Sequence, residues 1–304
     1  MPRLKRPCTA PPALLVTIAV VCCMPAQAAD DSTSMRWRGQ GKLLLTGGVS
    51  SIDGAAGGGL TPWAVTGSYA TEGEIGATAH LTRVKTQDFA LSAYGVAIAW
   101  DDRFELSLAQ QAFDAGAVVP GATLRQTIAG FKWRVAGDAV LDSDRWMPQL
   151  ALGLQLKHLQ PGQDVGAVLD SVQARRRGAD LTFSATKLLL APGILINGTL
   201  RATRANQNGL LGFGSSAHRS YQLKPELSVA WLLRRDLAIG AEWRAKPDNL
   251  AFAGEAFREQ AWKDLFIAWA PSKHLSVTLA WVDLGRVVAH PRQTGAYLSL
   301  QASL

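Results

Sequence analysis

After position 23 the chain has no cysteine: Cys8, Cys22 and Cys23 are the full set. With the first 28 residues removed, nothing is left for a disulfide, a thiolate nucleophile or a Cys-ligated metal site. Charge is scarce too, at 18% Asp, Glu, Lys and Arg, less than a soluble basic protein that binds nucleic acid would carry, so no nucleic acid is expected as a partner. Also missing after position 30 is any apolar run near the roughly 20 residues of a spanning helix. What is present is 48% hydrophobic residues and 29 glycines in 304 residues. That apolar content excludes a disordered chain and leaves an exported, β-rich protein of one large domain or two average ones.

Residues 1–28 read as a secretory signal peptide. Arg3, Lys5 and Arg6 precede an apolar stretch over 13–21, which ends in the small-residue site Ala26-Gln27-Ala28. Lipoprotein processing at Cys22 or Cys23 is the competing reading, and Val20-Val21 stand where it needs small residues. Removing Arg3, Lys5 and Arg6 takes the formal charge from +7 to +4, which weakens any case for a polyanion partner. Residues 29–304 are expected to form a single domain.

From about position 42 onward the apolar pattern has the period of a strand. In 147–158, Leu150, Leu152, Leu154 and Leu156 alternate with Gln149, Ala151, Gly153, Gln155 and Lys157. The pattern returns in 74–84 and 178–190, and again in 88–100, 103–110, 122–135, 193–203, 222–233, 236–246, 262–270, 274–285 and 295–304. These twelve segments have the length of tilted membrane-crossing strands. Segments 61–69 and 42–49 are a thirteenth and a fourteenth candidate.

Connection lengths carry separate information, because a membrane barrel has short turns at one rim and long loops at the other. The links 101–102, 191–192, 234–235 and 271–273 are tight, and those between them, 159–177, 204–221, 247–261 and 286–294, are long. The exceptions are 136–146, long for its side, and 85–87, short for its side. An even strand count with both termini at the short-turn rim favours 14 strands, with 12 and a Gly-rich N-terminal plug in the lumen as the alternative. Trp100, Trp133, Trp146, Trp231 and Trp269 fall near strand ends on the short-turn side, where an aromatic girdle meets the membrane interface. The last strand runs to Leu304, where outer-membrane barrels commonly end in Phe or Trp.

Two longer stretches are distinctive: Gly54-Ala55-Ala56-Gly57-Gly58-Gly59-Leu60-Thr61-Pro62-Trp63 within 47–63, and Ala205-Asn206-Gln207-Asn208-Gly209 within 197–214. With Tyr94-Gly95-Val96 and Ala185-Thr186-Lys187-Leu188, they make the chain resemble a proteobacterial family of exported outer-membrane β-barrel proteins of unknown function. The resemblance covers essentially all of the mature chain and implies the barrel. It brings no activity and no catalytic residues.

Motifs for chemistry are few. The glycines at 54–59 precede a strand start and lack the Gly-Lys-Ser/Thr ending of a phosphate loop, so a flexible hairpin or a plug is the better reading. His80, His158, His218, His274 and His290 are scattered without ligand spacing, and no motif implies a metal or a cofactor. Outer-membrane lipid hydrolases place Ser and His on barrel strands, which makes His158, His218 and Ser220 the candidates for an alternative enzyme reading. Arg175-Arg176-Arg177 ends a long loop and could meet lipopolysaccharide phosphates.

Taking the polar strand faces as lumen, Glu105, Lys132, Arg134, Lys157, Arg201, Glu226, Glu242 and Arg244 are the candidate lining residues, with Asp180 and Lys224 beside them. This mixture favours anions weakly. Lys187 falls on the lipid face, which suggests a shifted register there. The expectation is an all-β, antiparallel outer-membrane barrel of a Gram-negative bacterium, acting as a passive channel or small-solute pore and not as an enzyme. Its partners would be outer-membrane lipids, lipopolysaccharide, the barrel-assembly machinery and a small solute. Alternatives are a lipid-modifying enzyme, a non-conducting structural or surface-binding barrel, and a soluble β-sandwich.

Overall fold

The computed structural model describes residues 36, 37, 41–140 and 146–304. The proposed signal peptide and all three cysteines lie outside the described residues. Twelve long strands make the wall. The first six are β1 (Glu74–Thr86), β2 (Ala90–Trp100), β3 (Phe104–Asp114), β4 (Thr123–Ala136), β5 (Gln149–Gln160) and β6 (Arg177–Leu189). The other six are β7 (Ile194–Thr203), β8 (Gln222–Arg234), β9 (Leu237–Arg244), β10 (Trp262–Ser272), β11 (Leu275–Asp283) and β12 (Thr294–Ser303). Each pairs antiparallel with the next, and β12 returns to β1 with Gly295 opposite Thr86 and Ser303 opposite Thr78. Closure removes the sheet edge, so every wall strand finds its backbone partners without water.

Residue type decides which way each strand faces. In β10, Leu265, Ile267 and Trp269 are exposed on the outer face, while Trp262, Asp264, Phe266 and Ala268 are buried within. The same alternation in β5 turns Leu152 and Leu156 outward and Gln155 and Lys157 inward. Tight turns and long loops separate to opposite rims, with the two exceptions where the sequence places them. In the tight turn before β3, Asp101 and Asp102 have φ of 57° and 47°. Left-handed backbone at two successive positions suits a twisted hairpin, and Asp tolerates it.

The count of 14 strands is corrected to 12. Neither 42–49 nor 61–69 joins the wall. They belong to a segment, residues 41–73, that runs through the lumen with a two-residue pairing of Val49–Ser50 against Ala56–Gly57 and a single bridge from Gly57 to Pro62. Every residue from 49 to 70 is buried, so its chain is enclosed on both faces, which a half-buried wall strand cannot be. The wall makes room with small inward residues such as Ala93, Ala97, Ala99 and Ala109. Gly54 sits so close that a Cβ there would come 2.7 Å from the Ala109 Cβ.

Two apolar clusters bracket a polar middle. Leu45, Trp63 and Val65 of the lumen segment pack on Leu188, Leu195 and Phe266 toward the short-turn rim. Ile52 packs with Val84, Phe113 and Leu124 toward the long-loop rim, under Val165 and Leu169 of α1 (Gln163–Ser171). On the outside, Trp133, Trp146, Trp231 and Trp269 are exposed at the short-turn end and Trp281 at the other. Lys187 does sit on the outer face, and the pairing of β6 with β5 and β7 is continuous, so the suspected register shift is corrected. It lies two residues from the end of β6, where a lipid-facing charge costs little.

Candidate functional site

Asp53 is the one charged residue between Lys42 and Glu72. A tight hairpin carries it: Ser51 N donates to Ala55 O at 2.9 Å, Gly54 N donates to Ser51 O at 2.9 Å, and Gly54 has φ of 92°. This turn projects the Asp53 carboxylate toward three cations of the wall, Arg244 at 2.9 Å, Lys157 at 3.5 Å and Arg201 at 3.9 Å. The wall supplies two further carboxylates. Asp180 lies 3.0 Å from Lys157 and 3.4 Å from Arg201, and Glu226 lies 2.5 Å from Arg201 and 3.2 Å from Arg244. Three positive and three negative groups thus balance in a buried cluster, and they balance only when the lumen segment is seated. Burial pushes the Asp53 carboxyl upward, but Lys157, Arg244 and Arg201 outweigh it and hold the group well below the ordinary carboxylate range.

A second arm reaches the cluster from the long-loop rim. Asn208 donates its side-chain amide to Asp53 Oδ1 at 2.7 Å and accepts from Lys157 Nζ at 2.6 Å and Arg244 at 2.7 Å. Gln207 and Asn208 both have left-handed backbone, φ of 44° and 60°, a costly pair for residues with side chains. The surroundings hold it: Asn206 donates to Leu211 O and Gly214 O, and the Gln207 N–H donates to both Glu259 oxygens at 2.8 and 3.0 Å. Lys246 completes the support, donating to Gln207 Oε1 at 2.7 Å and facing Glu259 at 3.5 Å. Burial dominates this loop pair, lowering Lys246 to about 8 and raising Glu259 to about 7.

Closer to the short-turn rim the wall grips the backbone of the lumen segment. Glu105 accepts from Ala56 N at 3.1 Å and Gly67 N at 2.6 Å, and Lys132 Nζ donates to Ala56 O at 2.9 Å and Val65 O at 2.8 Å. Glu242 accepts from Leu60 N at 2.7 Å and the Thr61 hydroxyl at 2.5 Å. The glycine run makes these approaches feasible. A Cβ on Gly58 would meet Glu242 Oε1 at 2.3 Å, and one on Gly57 would meet Thr61 O at 2.0 Å.

All eight candidate lining residues therefore face inward, in three groups. Lys157, Arg201, Glu226 and Arg244 join the Asp53 cluster; Glu105, Lys132 and Glu242 clamp the segment's backbone. Arg134 stands at the short-turn rim, bonded to Asp102 and, at 3.1 Å, to Asp138. Asp180 belongs to the cluster, and Lys224 is half-buried. Covered by the lumen segment, the residues of the first two groups do not line an open channel. His158 lies half-buried on β5, while His218 and Ser220 are exposed in the loop after β7; among the described residues no hydrogen bond links the three. Of the three arginines, Arg176 is paired with Asp170 at 2.9 Å, and Arg175 and Arg177 are exposed.

The alternating wall, the closed sheet and the exposed apolar band define the class: an outer-membrane β-barrel with a filled lumen. Residues 46–301 match the family described as "Protein of unknown function (DUF3034)", and the chain belongs to that family. No curated protein matches the sequence. Among solved structures the chain is similar to the NanC porin, with a TM-score of 0.51 and 7% identity over 75% of this chain and 100% of that one. It is also similar to an outer-membrane channel from Pseudomonas putida F1, TM-score 0.48 and 13% identity over 76% and 95% of the two chains. For the KdgM porin the values are 0.46 and 10% over 75% and 99%.

Asp53 and Asn208 are members of the buried cluster that the period-two reading passes over. A lone carboxylate in a long uncharged Gly/Ala/Ser run is the signal for Asp53. Asn208 has no comparable signal, because its role comes from a loop folding inward.

Proposed function

We propose that the protein is a plug-gated conduit for small solutes in the outer membrane of a Gram-negative bacterium. It is exported with residues 1–28 as a cleaved signal and closed at rest by residues 41–73. The observation that carries this reading is the Asp53 cluster. Seating the segment neutralises this cluster, and withdrawing it leaves Lys157, Arg201 and Arg244 against Asp180 and Glu226. A lumen so exposed would be polar and wide enough to have held a polypeptide. The short-turn rim faces the periplasm and the long loops face outward, the usual arrangement of such barrels. There Arg175 and Arg177 offer guanidinium groups to lipopolysaccharide phosphates, and the barrel-assembly machinery is the partner during insertion.

The test is solute flux into liposomes. Liposomes with the intact protein should swell in a small sugar at near the protein-free rate, while those with a variant lacking residues 41–73 that keeps heat-modifiable gel mobility should swell rapidly. Rapid swelling with the intact protein would remove the plug from the account, and a folded but silent deletion variant would remove the conduit.

A further inference from the structure

Above the Asp53 cluster, at the long-loop end, the barrel interior changes character. A cavity of about 240 Å³ opens there, walled by the inward ends of β1 to β4, β10 and β11, floored by Ile52 and Leu60 of the lumen segment and roofed by α1 and the loops. At its rim Val118 and Val168 are 40% and 49% exposed, so the space reaches the outer surface. Of the side chains facing it, one carries an amide, Gln207, and none is charged. That amide is already engaged, accepting from Lys246 at 2.7 Å and donating to Arg286 O at 2.9 Å.

The ring of Trp262 completes the apolar wall and is 3% exposed. It is held from elsewhere by Arg244 at 5.7 Å and Lys246 at 5.1 Å from the centroid.

We propose that this cavity is a binding site for an uncharged, apolar small molecule of medium chain length, such as a nine-carbon alkane or ketone. Size follows from volume: a dry apolar cavity of about 150 Å³ holds benzene, so this one holds roughly ten non-hydrogen atoms. Charge is excluded because Lys246 and Arg244, the nearest cations behind the wall, are both committed to internal partners. Gln207 lines the cavity while its neighbour Asn208 binds Asp53, which puts the ligand one residue from the plug cluster. Binding does not require the plug to move, so this inference stands or falls separately from the conduit.

The experiment is equilibrium binding of 2-nonanone, nonane and nonanoate to the intact protein in lipid vesicles, with protein-free vesicles as the blank. Saturable binding of one nonane or one 2-nonanone per barrel is expected, with nonanoate showing no saturable component. Leu169→Trp, which fills the cavity, should weaken both at least tenfold; Val119→Trp serves if the first variant does not fold. Equal binding of nonanoate and nonane, or undiminished binding in a folded cavity-filling variant, would overturn the site.

Discussion

Asp53 and Arg244 lie 191 positions apart in the sequence and meet at 2.9 Å inside the barrel, both almost wholly buried. The pair joins the lumen segment to the wall, and removing one partner leaves an uncompensated charge where water is excluded. Breaking such a pair costs about 3–5 kcal/mol. Asp53→Ala should therefore unseat the segment at a far lower denaturant concentration than unfolds the wall. The probe is labelling of a cysteine placed at Ser51, which is feasible because the chain has no native cysteine after position 23. Equal protection of that cysteine with Asp53 and with Ala would show that the ion pair does not hold the segment.

Gly57 tests the close approach that the glycine run provides. Its added Cβ would press on the Thr61 carbonyl at 2.0 Å, and backbone cannot yield as a flexible side chain can. Gly57→Ala is expected to destabilise the seated segment by about 1–3 kcal/mol, read as faster labelling of the same cysteine, while the barrel keeps its gel mobility. Gly73, which has nothing within 4 Å of its Cβ position but a φ of 73°, should be affected through the local turn alone.

Two outward positions test the membrane placement. Ile267 lies mid-strand on the outer face of β10, so Ile267→Arg should lower folding stability in vesicles by about 2–4 kcal/mol. Lys187, near the end of β6, should tolerate Lys187→Leu with a change of about 1 kcal/mol or less. If the two substitutions had equal effects, the assigned midplane would be wrong.

The loop over residues 245–261 should respond to pH through Lys246 and Glu259. The folded state raises Glu259 from 4.5 to about 7, so it holds the proton more tightly than the open loop does. Its contribution to loop closure is full below pH 4.5 and is lost as pH rises through 7. Lys246 is lowered from 10.5 to about 8, and its contribution is full above 10.5 and lost as pH falls through 8. Closure is then weakest near pH 7–8 and firmer toward pH 5. Amide hydrogen exchange over 245–261, corrected for the intrinsic rate, should show several-fold greater protection at pH 5, and Glu259→Gln should flatten that difference.

Much of this barrel was legible as a sequence, because lipid on one side and protein on the other impose period two on each wall strand. The rim assignment followed from loop lengths, and Lys187 and the two loop exceptions landed where the spacing puts them. The lumen segment misled the strand count for a physical reason. Trp63 and Val65 alternate like a wall strand, yet both faces of that chain are buried, so alternation carries no inside or outside there. A usable sign was present in the wall, where inward alanines such as Ala97, Ala99 and Ala109 leave volume that something else must fill. The apolar cavity was hidden by treating each inner face as uniformly polar. In β4 the inward positions run from Leu124 through Gln126 and Ile128 to Lys132, so polarity changes along the strand, and only the closed barrel brings the apolar ends together.

Single-channel recording in planar bilayers tests the central claim most directly, by comparing the intact protein with Asp53→Ala. A seated segment gives the intact protein long closed periods with little or no conductance, and Asp53→Ala gives frequent openings of one main size. Steady open-pore conductance in the intact protein, or a folded Asp53→Ala variant as silent as its parent, would contradict a lumen closed through Asp53.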